Sequence, residues 1–211
     1  MRVGWRALQL MRESVRPLGG SPLDTRRLSP LVILVAGALA QVAVAQSPTS
    51  VRLASIPSRV GPFVLVDSTR FPNPGAGVGY TFRDSTNTRA DVYVYPLSQE
   101  NRALPSDSSR LAHEAALFAQ VLQVRESQGA FDGVQIVIDK PLEAAQSSVP
   151  GRVVVAVWRE RGASFVSFMH VFAFGETVLK VRLTLPASQW QQSTAPDFAL
   201  DLVRSLAQPT R

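Results

Sequence analysis

The sequence has 211 residues and no cysteine, which excludes disulfide bonds, a thiol nucleophile and the acylated cysteine of a bacterial lipoprotein. Its formal net charge is +6, but residues 1–45 hold six of the 22 basic and two of the 16 acidic residues, which leaves a charge of +2 on residues 46–211. So small a charge, without a dense run of Lys and Arg, argues against nucleic-acid binding.

The first predicted element is the apolar segment 31–45, LVILVAGALAQVAVA. Its fifteen residues are fewer than the roughly 20 apolar residues that a membrane-spanning helix needs. Arginines precede the segment, and Ala43-Val44-Ala45 ends it in the A-x-A arrangement that signal peptidase accepts. We therefore expect residues 1–45 to be a cleaved signal peptide and the mature protein, beginning at Gln46, to be periplasmic or secreted.

Three alternatives stay open at the N-terminus. Segment 31–45 could remain uncleaved as a membrane anchor, which would be the protein's only association with a membrane. Residues 25–28 (TRRL) match the start of a twin-arginine signal, but the Ser-Pro that follows departs from that motif and favours a general secretory signal. Translation could also begin at Met11 instead of Met1.

After a flexible leader at residues 46–55, the pattern predicts a single α+β domain over residues 56–208. Its first part contains three short runs rich in β-branched or aromatic residues and bounded by turn residues, which is typical of strands. These predicted strands are residues 62–66, 79–82 and 90–95. Short connections between them favour an antiparallel meander.

A helix follows, because apolar residues then recur at steps of three and four. The positions that form this face are Leu111, Ala115, Phe118 and Leu122, and we expect Leu117, Val121 and Val124 to widen it. Residues 106–108 (SDS) supply candidate N-caps, and Gly129 supplies a stop. The helix should lie across one face of a sheet.

Four longer strands and a second helix complete the chain. The predicted strands are residues 134–138, 153–158, 164–174 and 178–185. The third is bulky and apolar on both faces, so it belongs in the middle of a covered sheet, whereas the fourth alternates apolar with polar residues and should lie nearer an edge or a solvated region. A final helix begins within residues 193–197 and has apolar residues at four-residue steps.

The predicted order is βββ-α-ββββ-α, a mostly antiparallel sheet with helices packed on it, on one face or on both. This order, with VLKVRLTLP at residues 178–186 leading into the final helix, resembles the α/β/α sandwich of PsbP-like proteins and of small uncharacterised bacterial exported domains. The resemblance covers most of the mature chain and carries no diagnostic motif. It implies a fold and a binding or assembly role, and it transfers no functional residue.

Three motifs that could carry chemistry fail on spacing. The glycines of PGAGVG at 74–79 precede a strand instead of opening a helix, so they indicate a loop and not a nucleotide site. Asp84, Asn87 and Asp91 lack the EF-hand pattern and indicate a turn. GASFV at 162–166 ends in Val where a nucleophile elbow requires Gly. We predict no metal and no cofactor.

Five side chains remain as candidates. His170 alternates with phenylalanines, which favours a histidine of the core or of a pocket wall, and either His170 or His113 beside an acid would be needed for a hydrolase. Trp158, Tyr93 and Tyr95 are packing aromatics, or the walls of a pocket if one opens beside them. We expect an exported, soluble, non-enzymatic domain of the cell envelope that binds a protein or small-molecule partner; a hydrolase and an anchored envelope protein are the alternatives.

Overall fold

The computed structural model describes residues 56–190 and 195–207, so the predicted signal peptide 1–45, the leader 46–55 and the cap of the last helix lie outside the described residues. The strands are β1 (Arg59–Val60), β2 (Phe63–Arg70), β3 (Val78–Arg83), β4 (Arg89–Pro96), β5 (Asp132–Pro141), β6 (Gly151–Glu160), β7 (Ala163–Phe174) and β8 (Thr177–Pro186). The helices are α1 (Gln99–Arg102), α2 (Asp107–Ser127) and α3 (Ala195–Leu206). The predicted α+β class is confirmed.

All eight strands form one sheet in the order β1-β2-β3-β4-β8-β7-β6-β5, and every neighbouring pair is antiparallel. The two halves of the chain therefore meet where β4 pairs with β8. The very short strand β1 and the one-turn helix α1 were not expected from the sequence, because two or four residues are too few to show a period.

Helices cover both faces of this sheet. On one, which we call the α2 face, Leu111 and Leu122 of α2 belong to a buried cluster with Val154 and Met169 of the sheet. On the other, the α3 face, the ring of Phe198 from α3 contacts Phe63 and Phe82 at centroid distances of 4.7 and 5.2 Å, and Phe198 is buried. Successive strand residues point to opposite faces, so each helix buries its own half of the alternating pattern.

Local signals set the ends of α2 as predicted. The hydroxyl of Ser106 accepts a hydrogen bond from the backbone N–H of Ser109 at 3.2 Å, which satisfies a donor that the first helical turn leaves unpaired. At the other end Gly129 has φ of 71°, and its N–H donates to the carbonyl oxygen of Glu126 at 2.9 Å. A residue with a side chain would be strained in that conformation, so the helix stops here.

The glycine-containing loop joins two strands and does not open a helix, also as predicted. A short 3-10 turn (Pro74–Ala76) comes directly before β3. Gly77 has φ of 73°, and a Cβ there would collide with the carbonyl oxygen of Val94 and the backbone of Tyr95. The glycine lets this loop pass close against β4.

The expected positions of the last two strands are half right. Strand β7 lies between β6 and β8 and is almost entirely buried, which confirms a central place. The placement of β8 nearer an edge was wrong, because β8 is central and pairs with β4 and β7. Its polar residue Lys180 is only 20% exposed and forms an ion pair with Glu114 of α2. A buried ion pair produces the same apolar-polar alternation as a solvated face.

The expectation that Leu117, Val121 and Val124 widen the buried face of α2 was also wrong. Their exposed fractions are 39%, 54% and 52%. They lie three, seven and ten residues after Glu114, so they share its side of the helix. From that side Glu114 itself reaches Tyr95 of β4 and Lys180 of β8. The apolar side chains that α2 buries against the sheet are Leu111, Ala115, Phe118 and Leu122, as predicted.

Two neighbouring residues of α2 test this orientation. We expect Leu122→Ala to lower the free energy of unfolding by about 2–5 kcal/mol, because Leu122 is 1% exposed and its loss leaves a cavity. The matched variant Val121→Ala removes an exposed side chain and should change it by less than about 0.5 kcal/mol. Urea unfolding measures both; equal losses in the two variants would contradict the orientation of α2.

Candidate functional site

A row of small residues crosses the α2 face. Ala156 of β6 pairs with Ser167 of β7, which pairs with Thr184 of β8. One step along β7 the next row holds Met169 and Arg182, and one step the other way it holds Phe165 and Trp158. Of the small row, Thr184 borders open space, whereas Ala156 and Ser167 are fully buried.

The open space beside Thr184 is a groove of about 340 Å³. We call it the aromatic-arginine groove. It is lined by Arg89, Asp91, Phe131, Trp158, Glu160, Phe165, Arg182 and Thr184. Apolar walls with a few polar groups are typical of ligand sites.

Three aromatic rings form one end of the groove. The indole of Trp158 is 5.0 Å from the ring of Phe131 and 6.1 Å from the ring of Phe165, centroid to centroid. Trp158 is 4% exposed, and its Nε1 makes no hydrogen bond with any residue of the described ranges. An indole N–H normally finds an acceptor when it is buried, and this donor is left unsatisfied.

Arg182 forms the opposite end. Its guanidinium lies over the ring of Phe118, 5.7 Å from the centroid, in a cation-π arrangement that holds it under α2. Its Nε is buried and makes no hydrogen bond within the described part of the chain, where no carboxylate forms an ion pair with Arg182. Burial lowers the pKa of Arg182, and the nearby cations Arg125 and Arg89 add to this effect against the opposing influence of Tyr93 and Asp91.

The acid closest to Arg182 is already engaged. Asp91 accepts a hydrogen bond from Nε of Arg89 at 2.7 Å and one from the hydroxyl of Thr81 at 3.2 Å. Asp91 and Arg182 are paired residues of β4 and β8, yet the carboxylate turns toward Arg89. The basic end of the groove therefore keeps a positive excess.

A buried polar network lies beside the groove. Glu114 of α2 is 5% exposed; its Oε2 accepts from the hydroxyl of Tyr95 at 2.6 Å and from Nζ of Lys180 at 3.0 Å, and its Oε1 accepts from Nδ2 of Asn101 at 2.9 Å. Burial, and next the hydrogen bond to Glu114, raise the pKa of Tyr95. Because these partners satisfy the carboxylate, the network holds α2 in one position on the sheet.

The structure separates the five candidates of the sequence. Trp158 lines the groove, and Tyr95 belongs to the adjacent network. Tyr93 stands on the same face next to Asp91 and Arg182; burial, then Asp91, raise its pKa. His113 is half-buried on α2 and does not line the groove. His170 lies on the opposite face of β7 from Met169 and is buried.

His170 is enclosed by apolar surroundings. Its ring is nearly parallel to that of Phe172, at a centroid distance of 6.2 Å, and its strand partners are Val153 and Val181. Burial lowers its pKa to about 4. The side chain is therefore neutral at physiological pH.

Asp84, Asn87 and Asp91, which lack the EF-hand pattern for calcium, form a turn and an ion pair. Oδ1 of Asp84 accepts from the backbone N–H groups of Thr86 and Thr88, both at 2.8 Å, which is the turn predicted from the sequence. Asn87 has φ of 64° in the same turn, and Asp91 is paired with Arg89. Among the described residues no group of three or more His, Cys, Asp or Glu side chains could hold a metal ion.

The sequence pattern predicts one wall of the groove, Trp158, and not the others. It indicates Arg182 only as part of a polar strand face, and it does not single out Phe131 or Phe165 as site residues. The available signal was their register: an arginine without an acid beside it in sequence, on a strand whose alternate residues are apolar. It becomes informative only once β6, β7 and β8 are known to be neighbours.

No protein-family model and no curated protein sequence matches the chain. Among solved structures, the chain is similar to cyanobacterial PsbP (CyanoP) from Synechocystis sp. PCC 6803, with 12% identity, a TM-score of 0.44, and coverage of 68% of this chain and 79% of that one. It is also similar to PA94, a protein of unknown function from Pseudomonas aeruginosa, with 12% identity, a TM-score of 0.37, and coverage of 69% and 82%. The weak resemblance to PsbP-like proteins is confirmed, as a distant likeness in fold.

Helices of the described ranges are all too short or too polar to cross a membrane.

The burial of His170 predicts a pH dependence of stability. Its pKa is near 6.5 in an unfolded chain and about 4 in the folded protein. Between these values the unfolded state binds a proton that the folded state does not, so the free energy of unfolding falls as the pH is lowered from 6.5 to 4, by about 3 kcal/mol in all. Below pH 4 this loss stops.

The measurement is urea unfolding between pH 7 and pH 4 for His170→Leu and for the control His113→Gln. His170→Leu should lose this part of the pH dependence, and His113→Gln should retain it. Identical pH profiles for the two variants would show that His170 is not the group responsible.

Proposed function

We propose that this protein is a non-enzymatic binding domain of the cell envelope, exported by a cleaved signal peptide, and that it holds a small-molecule ligand in the aromatic-arginine groove. One observation carries this proposal. Trp158 and Arg182 line one groove, and each carries a buried donor, Nε1 and Nε respectively, that has no hydrogen-bond partner within the described ranges.

An unpartnered buried donor costs about 1–3 kcal/mol. A chain that carries two of them in one groove gives up stability that a ligand with suitable acceptors would restore. The packed rings of Phe131, Trp158 and Phe165 offer an apolar surface against which the body of such a ligand can lie. The groove therefore combines shape with unused hydrogen-bonding capacity.

The composition of the groove favours binding over catalysis. Nucleophilic catalysis needs a nucleophile within reach of a base. The one hydroxyl among the lining residues belongs to Thr184, which is hydrogen bonded to Ser167 at 3.0 Å, and neither His113 nor His170 lines the groove. We find no observation in the described residues that favours the hydrolase alternative.

Export is supported by segment 31–45 and its Ala43-Val44-Ala45 ending. N-terminal sequencing of protein recovered outside the cytoplasm should give Gln46 as the first residue. A chain that still begins at Met1 or Met11 would instead support the uncleaved anchor.

Binding can be followed through the tryptophans, of which the chain has three: Trp5, Trp158 and Trp190. Trp190 stacks on Phe168, a residue of the α3 face, at 5.2 Å. The proposed mature protein lacks Trp5, so the variant Trp190→Phe leaves Trp158 as the reporter, and the matched variant Trp158→Phe leaves Trp190.

The probe is 4-phenylbutyramide, which is neutral and has an aromatic ring and a carbonyl acceptor. We expect saturable changes in the emission of the Trp158 reporter and none in that of the Trp190 reporter. Equal responses from both reporters would refute a ligand site in the groove. So would a Trp158 reporter that responds neither to this amide nor to the anion 4-phenylbutyrate.

A further inference from the structure

The charges around the groove carry an inference about the chemistry of its ligand. Three arginines converge on one end: Arg182 and Arg89 line it, and Arg125 of the last turn of α2 is close enough to influence Arg182. Arg89 is neutralised by Asp91, whereas Arg182 and Arg125 form no ion pair with a described residue. Like charges gathered without a counter-charge favour an anion.

The other acid of the groove belongs to the opposite end. Glu160 and Trp158 are on the same face of β6, two residues apart, and Glu160 pairs with Ala163 at the β6-β7 hairpin. In the register of β7, Arg182 is opposite Met169 and Trp158 is opposite Phe165. Four residues of strand span about 13 Å, so the basic and aromatic ends are well separated.

We propose that the aromatic-arginine groove binds an elongated organic anion, with its carboxylate or phosphate group at Arg182 and its apolar body against the rings of Phe131, Trp158 and Phe165. This rests on the proposed function, since it names the class of ligand for the same groove. The anionic group would accept from Nε and from the terminal nitrogens of Arg182, as carboxylates and phosphates do from guanidinium groups.

The position of Arg182 is set before any ligand arrives. Phe118 lies against the guanidinium at 5.7 Å, and the strand that carries Arg182 is held by β4 on one side and β7 on the other. A group that is already oriented loses little conformational entropy when it binds. A freely rotating surface arginine would offer the same charge without this advantage.

The decisive comparison is between two probes of nearly the same shape. The anion 4-phenylbutyrate and the neutral 4-phenylbutyramide differ mainly in charge, and both can be titrated against the Trp158 reporter. We expect the anion to bind at least about tenfold more tightly, because a charge-assisted hydrogen bond is stronger than a neutral one. Higher salt should weaken the binding of the anion more than that of the amide.

Variants locate the preference. In Arg182→Met the affinity for 4-phenylbutyrate should fall to about that for the amide in the same variant, because the preference for charge is lost with the guanidinium. Arg182→Lys keeps the charge and loses the fork of donors, so it should retain part of the preference. The control is Arg204→Met, which removes an exposed arginine of α3 and should leave both affinities unchanged.

The outcomes separate the two proposals. Equal affinities of the native protein for the two probes would overturn the anion site while leaving the groove as a ligand site. A preference for the anion that survives in Arg182→Met would place the charge recognition elsewhere and overturn the role of Arg182. Binding of neither probe would refute both proposals.

Folding of the variant is checked by urea unfolding. Because Arg182 gives up no ion pair within the described residues, Arg182→Met should be at least as stable as the native protein. A clear loss of stability would indicate that the guanidinium has a structural role, which the stable variant Arg182→Lys would then separate from binding.

Discussion

The ion pair between Glu114 and Lys180 determines how the α2 face is organised. It joins a helix to the centre of the sheet across an almost closed environment, with side-chain exposures of 6% and 20%, and the hydrogen bonds from Tyr95 and Asn101 complete the coordination of the carboxylate. Two buried charges stabilise a fold only weakly when compared with apolar residues, but removing one of them is costly. The pair therefore selects one rotation of α2 about its axis. That rotation places Phe118 over Arg182 and leaves Leu117, Val121 and Val124 in the open.

The groove opens on the same face of the sheet, and its lining comes from β4, β6, β7 and β8 together with Phe131. Trp158 and Arg182 belong to this lining, and their donors Nε1 and Nε are buried without a hydrogen-bond partner among the described residues. Replacing Arg182 by an apolar residue would relieve the cost of its burial, yet it would remove the charged end of the site. Such a conflict between stability and activity is common where proteins bind ligands.

The sequence predicts the fold well because the fold depends on local repetition. Bulky apolar residues of β7 occupy both sets of alternate positions, with Phe168 and Phe172 on one face and Met169 and Val171 on the other, and so identify a strand buried on both faces. The spacing of Leu111, Ala115, Phe118 and Leu122 identifies α2. Strand β8 shows where this reasoning stops. Its lysine and arginine alternate with leucine and valine in the same way whether water or a buried acid meets them, and the acid that decides is Glu114, 66 positions away. Only the packing of α2 on the sheet brings the two together.

The site depends on contacts between distant parts of the sequence even more than the fold does. Trp158 can be predicted as a packing residue or a pocket wall from its residue type alone. The environment of Arg182 is set by Phe118, Asp91 and Arg125, each on another element. The two faces of β7 therefore differ. On the α3 face, burial among apolar side chains lowers the pKa of His170 and keeps this side chain neutral, in a region that contributes packing. On the α2 face the same sheet retains charges that packing alone would not favour, as the proposed anion site requires.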